Sequence, residues 1–178
     1  MIIIIHGSHR HGYHWEVTNL LKQHLLEYDF DIRIIDLSKS NINYCCGHQF
    51  CQEGNCIYSD DFTSIHMKQL LKAECIYIVA PTYFNMPSAK LKNFIDRTNS
   101  ILPLIDNNRS APLFGAWVSG EADFESIESN LNLLINYAEI MGWQVNKDVN
   151  NIVSLSEDKN IDKKRIEDIT SIINNHIR

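Results

Sequence analysis

Three short stretches of this chain carry residues whose types and spacing suit chemistry. The first is Pro81-Thr82-Tyr83-Phe84-Asn85-Met86-Pro87, a stiff, aromatic, proline-bracketed segment between an apolar run, Ile76 to Ala80, and a helix-patterned segment, Ser88 to Leu102. At the carboxyl end of a strand, such a segment suits a flat ligand, and a flavin ring is the first candidate. The second is Gly7-Ser8-His9-Arg10-His11-Gly12, which follows an aliphatic run and precedes a helix beginning near His14. Backbone amides at a helix start, a hydroxyl and a guanidinium together make a cradle for a phosphate. The third is Cys45 to Cys56, which gathers four of the five cysteines around His48. That crowding suits reduced thiols or a metal better than a disulfide framework.

Two other phosphate readings of the first loop fail on spacing. A dinucleotide fingerprint needs three glycines, and this loop has two. Gly7 and Gly12 have the outer spacing of a P-loop, but Tyr13 and His14 stand where Lys and Ser or Thr are required. His6, His9, His11 and His14 invite a metal reading as well. The sequence offers no nearby carboxylate, and alternate positions on a turning loop do not obviously converge, so they read as polar loop contacts.

The elements that must position these stretches are strands alternating with helices. Strands are predicted over Ile2 to Ile5, Ile32 to Ile35, Cys75 to Ala80, Leu113 to Val118 and Ile152 to Leu155. Val17, Leu20, Leu21, Leu25 and Tyr28 stripe a first helix, and Leu91, Phe94, Ile95 and Leu102 a third. Phe124, Ile127, Leu131, Leu134, Ala138 and Met141 stripe a fourth, and Ile166, Ile169 and Ile173 the last. This is the pattern of a parallel sheet covered by helices on both faces, an α/β fold in one domain spanning residues 1–178. One connection breaks the rhythm: Leu37 to Asp61 is long and weakly periodic, and it holds the cysteines, so it is read as functional. Asp106 to Ala111 reads as a polar turn, and Cys75 as a buried small hydrophobe.

Composition removes several classes of function. Net charge is −6 with no basic stripe interleaved with aromatics, which argues against nucleic acid. Met1 to Ile5 is too short for a signal segment and no apolar run would span a bilayer, so a soluble cytoplasmic protein is expected.

Taken together, three motifs resemble the NAD(P)H-dependent FMN reductase group of flavodoxin-like proteins, including its iron-sulfur flavoprotein branch. They are Gly7-Ser8-x-Arg10; Cys45-x-Gly47-His48-x-x-Cys51 with Gly54-x-Cys56 and Asp60-Asp61; and Pro81-x-Tyr83 with Ser88-Ala89, Leu91-Lys92, Phe94 and Asp96-Arg97. The resemblance implies a three-layer flavodoxin-like fold with a five-stranded parallel sheet in the order 2-1-3-4-5 and FMN at the switch point. It implies that Ser8, Arg10, His14 and Trp15 lie at the phosphate, and that Pro81, Thr82, Tyr83, Phe84, Asn85, Ser119 and Gly120 hold the ring. Two features depart from the family. His14 and Trp15 replace Asn and a hydroxyl residue, leaving Thr18 one turn further on, and His48 replaces a cysteine.

In the iron-sulfur branch the frame Cys45, His48, Cys51 and Cys56 would hold a cluster, and three Cys with one His also suits zinc. The favoured reading is a loop without metal that packs near the flavin or a subunit interface. The function expected is an FMN-dependent oxidoreductase that takes hydride from NAD(P)H and reduces a small acceptor: a quinone, a nitro or azo compound, or a ferric complex. No catalytic acid or base is nominated, because the flavin carries the chemistry. A homodimer or homotetramer is expected. The alternatives are a flavodoxin-type or iron-sulfur flavoprotein electron carrier, and a metal-binding or regulatory module without flavin.

Overall fold

The computed structural model describes residues 1–106 and 109–178, the side chains of Phe50 and Gln52 aside. Asn107 and Asn108, within the expected polar turn, lie outside the described residues. Along the chain run β1 (Ile2–His6), α1 (Tyr13–Leu26), β2 (Ile32–Asp36), a short 3-10 turn (Gln49–Glu53), and a π-type turn (Phe62–His66) leading into α2 (Met67–Leu70). Then come β3 (Cys75–Tyr83), β4 (Met86–Pro87), α3 (Ala89–Arg97), β5 (Leu113–Gly120), α4 (Phe124–Ile140), β6 (Gln144–Val145), β7 (Asn151–Ser154) and α5 (Lys163–Ile177).

Among the described residues the sheet has seven strands, ordered β2-β1-β3-β5-β6, with β7 also beside β5 and β4 beside β3. The expected order 2-1-3-4-5 is therefore present, with two refinements. The fifth position is split: β6 pairs with Leu113 and Phe114, and β7 with Trp117 to Gly120. The last strand accordingly begins at Asn151 and ends at Ser154, earlier than Ile152 to Leu155. All pairings are parallel except that of β4, which folds back on β3.

Strand alternation divides the core. Ile2 and Ile4 face Val17, Leu21 and Leu25 of α1 and Ile166, Ile169 and Ile173 of α5. Ile3 and Ile5 face the other layer with Leu91 and Phe94 of α3 and Ile127 and Leu134 of α4. Each such side chain contributes about 1.5–3 kcal/mol by leaving water, and β1, β3 and β5 are buried on both faces, which is why they read as unbroken apolar runs. The third helix is shorter than expected: α3 stops at Arg97, and Leu102 lies in a separate 3-10 turn, Leu102–Leu104.

Candidate functional site

The carboxyl ends of β1, β3 and β5 meet at one edge of the sheet, and side-chain bonds fasten them together. Gly7 follows β1 with no room for a side chain: a Cβ there would lie 2.9 Å from the Ala80 Cβ and 3.0 Å from Leu91 Cδ2. Ser88 caps α3 by accepting from the Leu91 N–H at 3.2 Å, and its hydroxyl donates to the Gly7 carbonyl at 2.5 Å. His14 Nε2 and Ser119 Oγ, at the ends of α1 and β5, are 2.7 Å apart and buried.

Between these anchors the first loop offers donors. Gly12 precedes α1 and supplies no side-chain cap; its carbonyl accepts from the Trp15 and Glu16 N–H groups at 2.8 and 3.1 Å, so the donors the helix start can offer a ligand are the Tyr13 and His14 amides. Arg10 is exposed, and its N–H donates to Ser8 Oγ at 3.3 Å. His14 and Trp15 turn inward. Burial, with His6 nearby, lowers the His14 pKa to about 4, so its ring is neutral at physiological pH. Trp15 stacks on His11 with ring centroids 4.0 Å apart and meets His6 edge-on at 5.2 Å.

The aromatic segment is not the loop that its prolines suggested. Pro81, Thr82 and Tyr83 continue β3, and Thr82 and Tyr83 pair with Pro87 and Met86 of β4. Thr82 is buried, and Asn130 of α4 donates to its Oγ1 at 2.9 Å. Only Phe84 and Asn85 form the turn, with φ of +51° and +62°. Positive φ at both central residues is the hairpin geometry that follows sheet twist; Asn accepts it readily and a bulky aromatic does not. Phe84 is nonetheless there, 95% exposed. Ser119 and Gly120 likewise end β5 instead of following it, and a Cβ on Gly120 would lie 3.3 Å from Thr82.

The cysteine loop is tied to α3 by a buried ion pair whose residues the sequence offered only as part of a motif. Arg97 donates to Asp60 Oδ2 at 2.7 Å and Oδ1 at 3.2 Å, to the Asn43 carbonyl at 2.8 Å and to Cys56 Sγ at 3.2 Å. Burial raises the Asp60 pKa, but Arg97 and the Asn43 donors outweigh it and bring the carboxyl down to about 2. Cys45, His48, Cys51 and Cys56 all line one small concavity with Tyr58 and Arg97. A tetrahedral zinc would need its thiolates about 4 Å apart. Among the described residues, the only three potential ligands with donor atoms within 4.8 Å of one another lie elsewhere: His6, His11 and Asp36. Two of the four histidines, His6 and His11, thus do find a carboxylate, contrary to the sequence reading. Parallel pairing sets His6 beside Asp36, although they are far apart in the chain.

A family model described as NADPH-dependent FMN reductase matches residues 1–154. The chain belongs to that family. An iron-sulfur flavoprotein of Archaeoglobus fulgidus is 31% identical over 70 residues, 38% of this chain and 31% of the relative. One of Methanocaldococcus jannaschii is 32% identical over 87 residues, 48% of this chain and 42% of the relative. The matches span less than half the length of these relatives. Among solved structures, RosB with a bound formylriboflavin phosphate intermediate superposes with TM-score 0.80 at 10% identity, covering 99% of this chain and 78% of RosB. An NAD(P)H:quinone oxidoreductase from Methanothermobacter marburgensis gives 0.69 at 17%, covering 98% and 92%, and an archaeal flavodoxin gives 0.65 at 14%, covering 99% and 97%. At these identities the structures establish the flavodoxin-like fold that this reductase-family chain adopts.

Proposed function

We propose that this protein is an FMN-dependent oxidoreductase that takes hydride from NAD(P)H and passes electrons to a small acceptor, a quinone, nitro or azo compound or ferric complex. The observation that carries the reading is the convergence of the β1, β3 and β5 ends around an uncapped helix start, an exposed Arg10 and an exposed Phe84. This is the switch point of a doubly wound sheet, where ligands of such folds bind. The donor set fits a phosphate monoester and the hairpin fits a planar ring.

In this reading Arg10 and the Tyr13 and His14 amides at the start of α1 hold the phosphate, and Ser8 fixes the backbone of Arg10. Tyr83, Phe84 and Asn85 border the ring, while the main chain of Ser119 and Gly120 forms its floor. His14 and Trp15 support the loop from beneath, and Pro81 and Thr82 set the hairpin's direction. Bound FMN supplies the hydride-accepting and electron-donating chemistry. The thiols and the absence of any described helix long and apolar enough to cross a membrane are in keeping with a cytoplasmic protein. Titration with FMN, followed by NADPH reduction of the bound flavin, tests the reading; a protein that takes up no FMN excludes it.

A second reading, an electron carrier, is favoured by one observation: Cys45, His48, Cys51 and Cys56 share a concavity beside the Arg97 guanidinium, which donates to Cys56 Sγ at 3.2 Å. Near-stoichiometric iron and sulfide after anaerobic purification would select it; zinc alone would make the loop structural.

A further inference from the structure

We propose that His6, His11 and Asp36 form a binding site for a divalent transition-metal ion, separate from the cysteine loop and seated at the base of the first loop. One ring nitrogen of each histidine and one carboxylate oxygen lie within 4.8 Å of one another. Two imidazoles and a carboxylate suit zinc and its neighbours, with a fourth position open to water.

The surroundings are those of a metal site. His6 is fully buried, with Nδ1 3.5 Å from Thr18 Oγ1 and Nε2 3.3 Å from the Arg10 carbonyl. Whichever nitrogen faces the ion, the other keeps a hydrogen-bond partner, the arrangement that fixes ring and tautomer in metal-bound histidines. Asp36 is held by its second oxygen, which accepts from the Ser38 N–H at 3.0 Å and the Ser38 hydroxyl at 2.6 Å. Its Oδ2 stands 2.8 Å from His11 Nε2, with Ser38 Oγ 3.2 Å from the same nitrogen. The Trp15 ring, stacked on His11 and edge-on to His6, walls one side. An ion here would pin the middle of the first loop to the ends of β1 and β2.

The test is cobalt(II) titration of the chelator-treated full chain, followed by visible spectroscopy, with zinc as competitor. The expected result is one cobalt bound with ligand-field bands and no sulfur-to-cobalt charge transfer, displaced by zinc. His11→Ala, which removes an exposed side chain, and Asp36→Asn should each weaken cobalt binding at least tenfold while circular dichroism stays unchanged. Cobalt bound only with a sulfur charge-transfer band, or with equal affinity in both variants, would overturn the proposal. So would no binding at all, which would leave His11 and Asp36 as a simple hydrogen-bonded pair. Should Asp36→Asn fail to fold, His11→Ala alone decides between these outcomes.

Discussion

Replacing Arg97 with methionine removes the guanidinium and keeps most of the side-chain volume. Both partners of its ion pair are 1% exposed, so the substitution strands the Asp60 carboxylate in the interior. Losing one partner of a buried pair costs about 3–5 kcal/mol. Asp60 still accepts from the N–H and side-chain amide of Asn43 and from the N–H groups of Phe62 and Thr63. Those bonds hold the charge in place and put the expected loss at the lower end, about 3 kcal/mol. Urea denaturation at neutral pH measures it. The pH dependence supplies an independent sign. In the native protein the Asp60 pKa is depressed from 3.8 to about 2, so its stabilisation is present above pH 3.8 and is lost as pH falls toward 2. Without Arg97 burial dominates, the carboxyl pKa rises, and the variant's deficit shrinks as the solution is acidified. Adding Asp60→Asn should recover about 2 kcal/mol, since the stranded charge is gone. A loss below about 1 kcal/mol, or strict additivity of the two substitutions, would refute the claim that this pair holds the cysteine loop on α3.

Three further outcomes are expected. His14→Gln should flatten the acid side of the stability profile: the His14 pKa is lowered from 6.5 to about 4, so the native protein loses about 3 kcal/mol as pH falls through that interval, and denaturation at stepped pH reads the difference. Gly7→Ala should cost about 1–3 kcal/mol, seen in the urea midpoint, because its Cβ would press on the Ala80 Cβ at 2.9 Å and Leu91 Cδ2 at 3.0 Å. Sedimentation velocity should show a dimer or tetramer that Phe84→Ser shifts toward monomer, because Tyr83, Phe84 and Met86 expose apolar surface at one hairpin; an unchanged monomer in both would remove self-association from the account.

Much of the fold was legible because the buried strands are unbroken apolar runs and the helices carry single stripes, signals that depend only on local period. The hairpin of β3 and β4 was not, since Pro81 and Pro87 read as loop punctuation; β3 tolerates Pro81 because its burial and pairing are set by neighbours on β5 and α4. The split fifth position was hidden by the short 3-10 turn Lys147–Val149, which carries no periodic signal. At the site, the phosphate loop and aromatic segment could be marked from residue types, but not the inward turn of His14, which depends on a buried hydroxyl of β5. The Asp36 carboxylate escaped for the same reason. Its nearness to His6 and His11 comes from strand register, although a parallel pairing of the first two predicted strands, continued one residue past Ile5 and Ile35, would have aligned His6 with Asp36. Arg97 and Asp60 stood in the motifs, yet their pairing spans 37 residues and only α3 packing brings them together.

Equilibrium titration of apo-protein with FMN, in native and Arg10→Ala forms, tests the central claim most directly, with mass analysis of the cofactor released on denaturation. The account predicts one FMN per chain, binding in the micromolar range or tighter, weakened by about 1.5–3 kcal/mol, roughly 10- to 150-fold, when the charge-assisted bond from Arg10 to the phosphate is lost. Failure to bind FMN, preferential retention of FAD, or an affinity indifferent to Arg10 would contradict it.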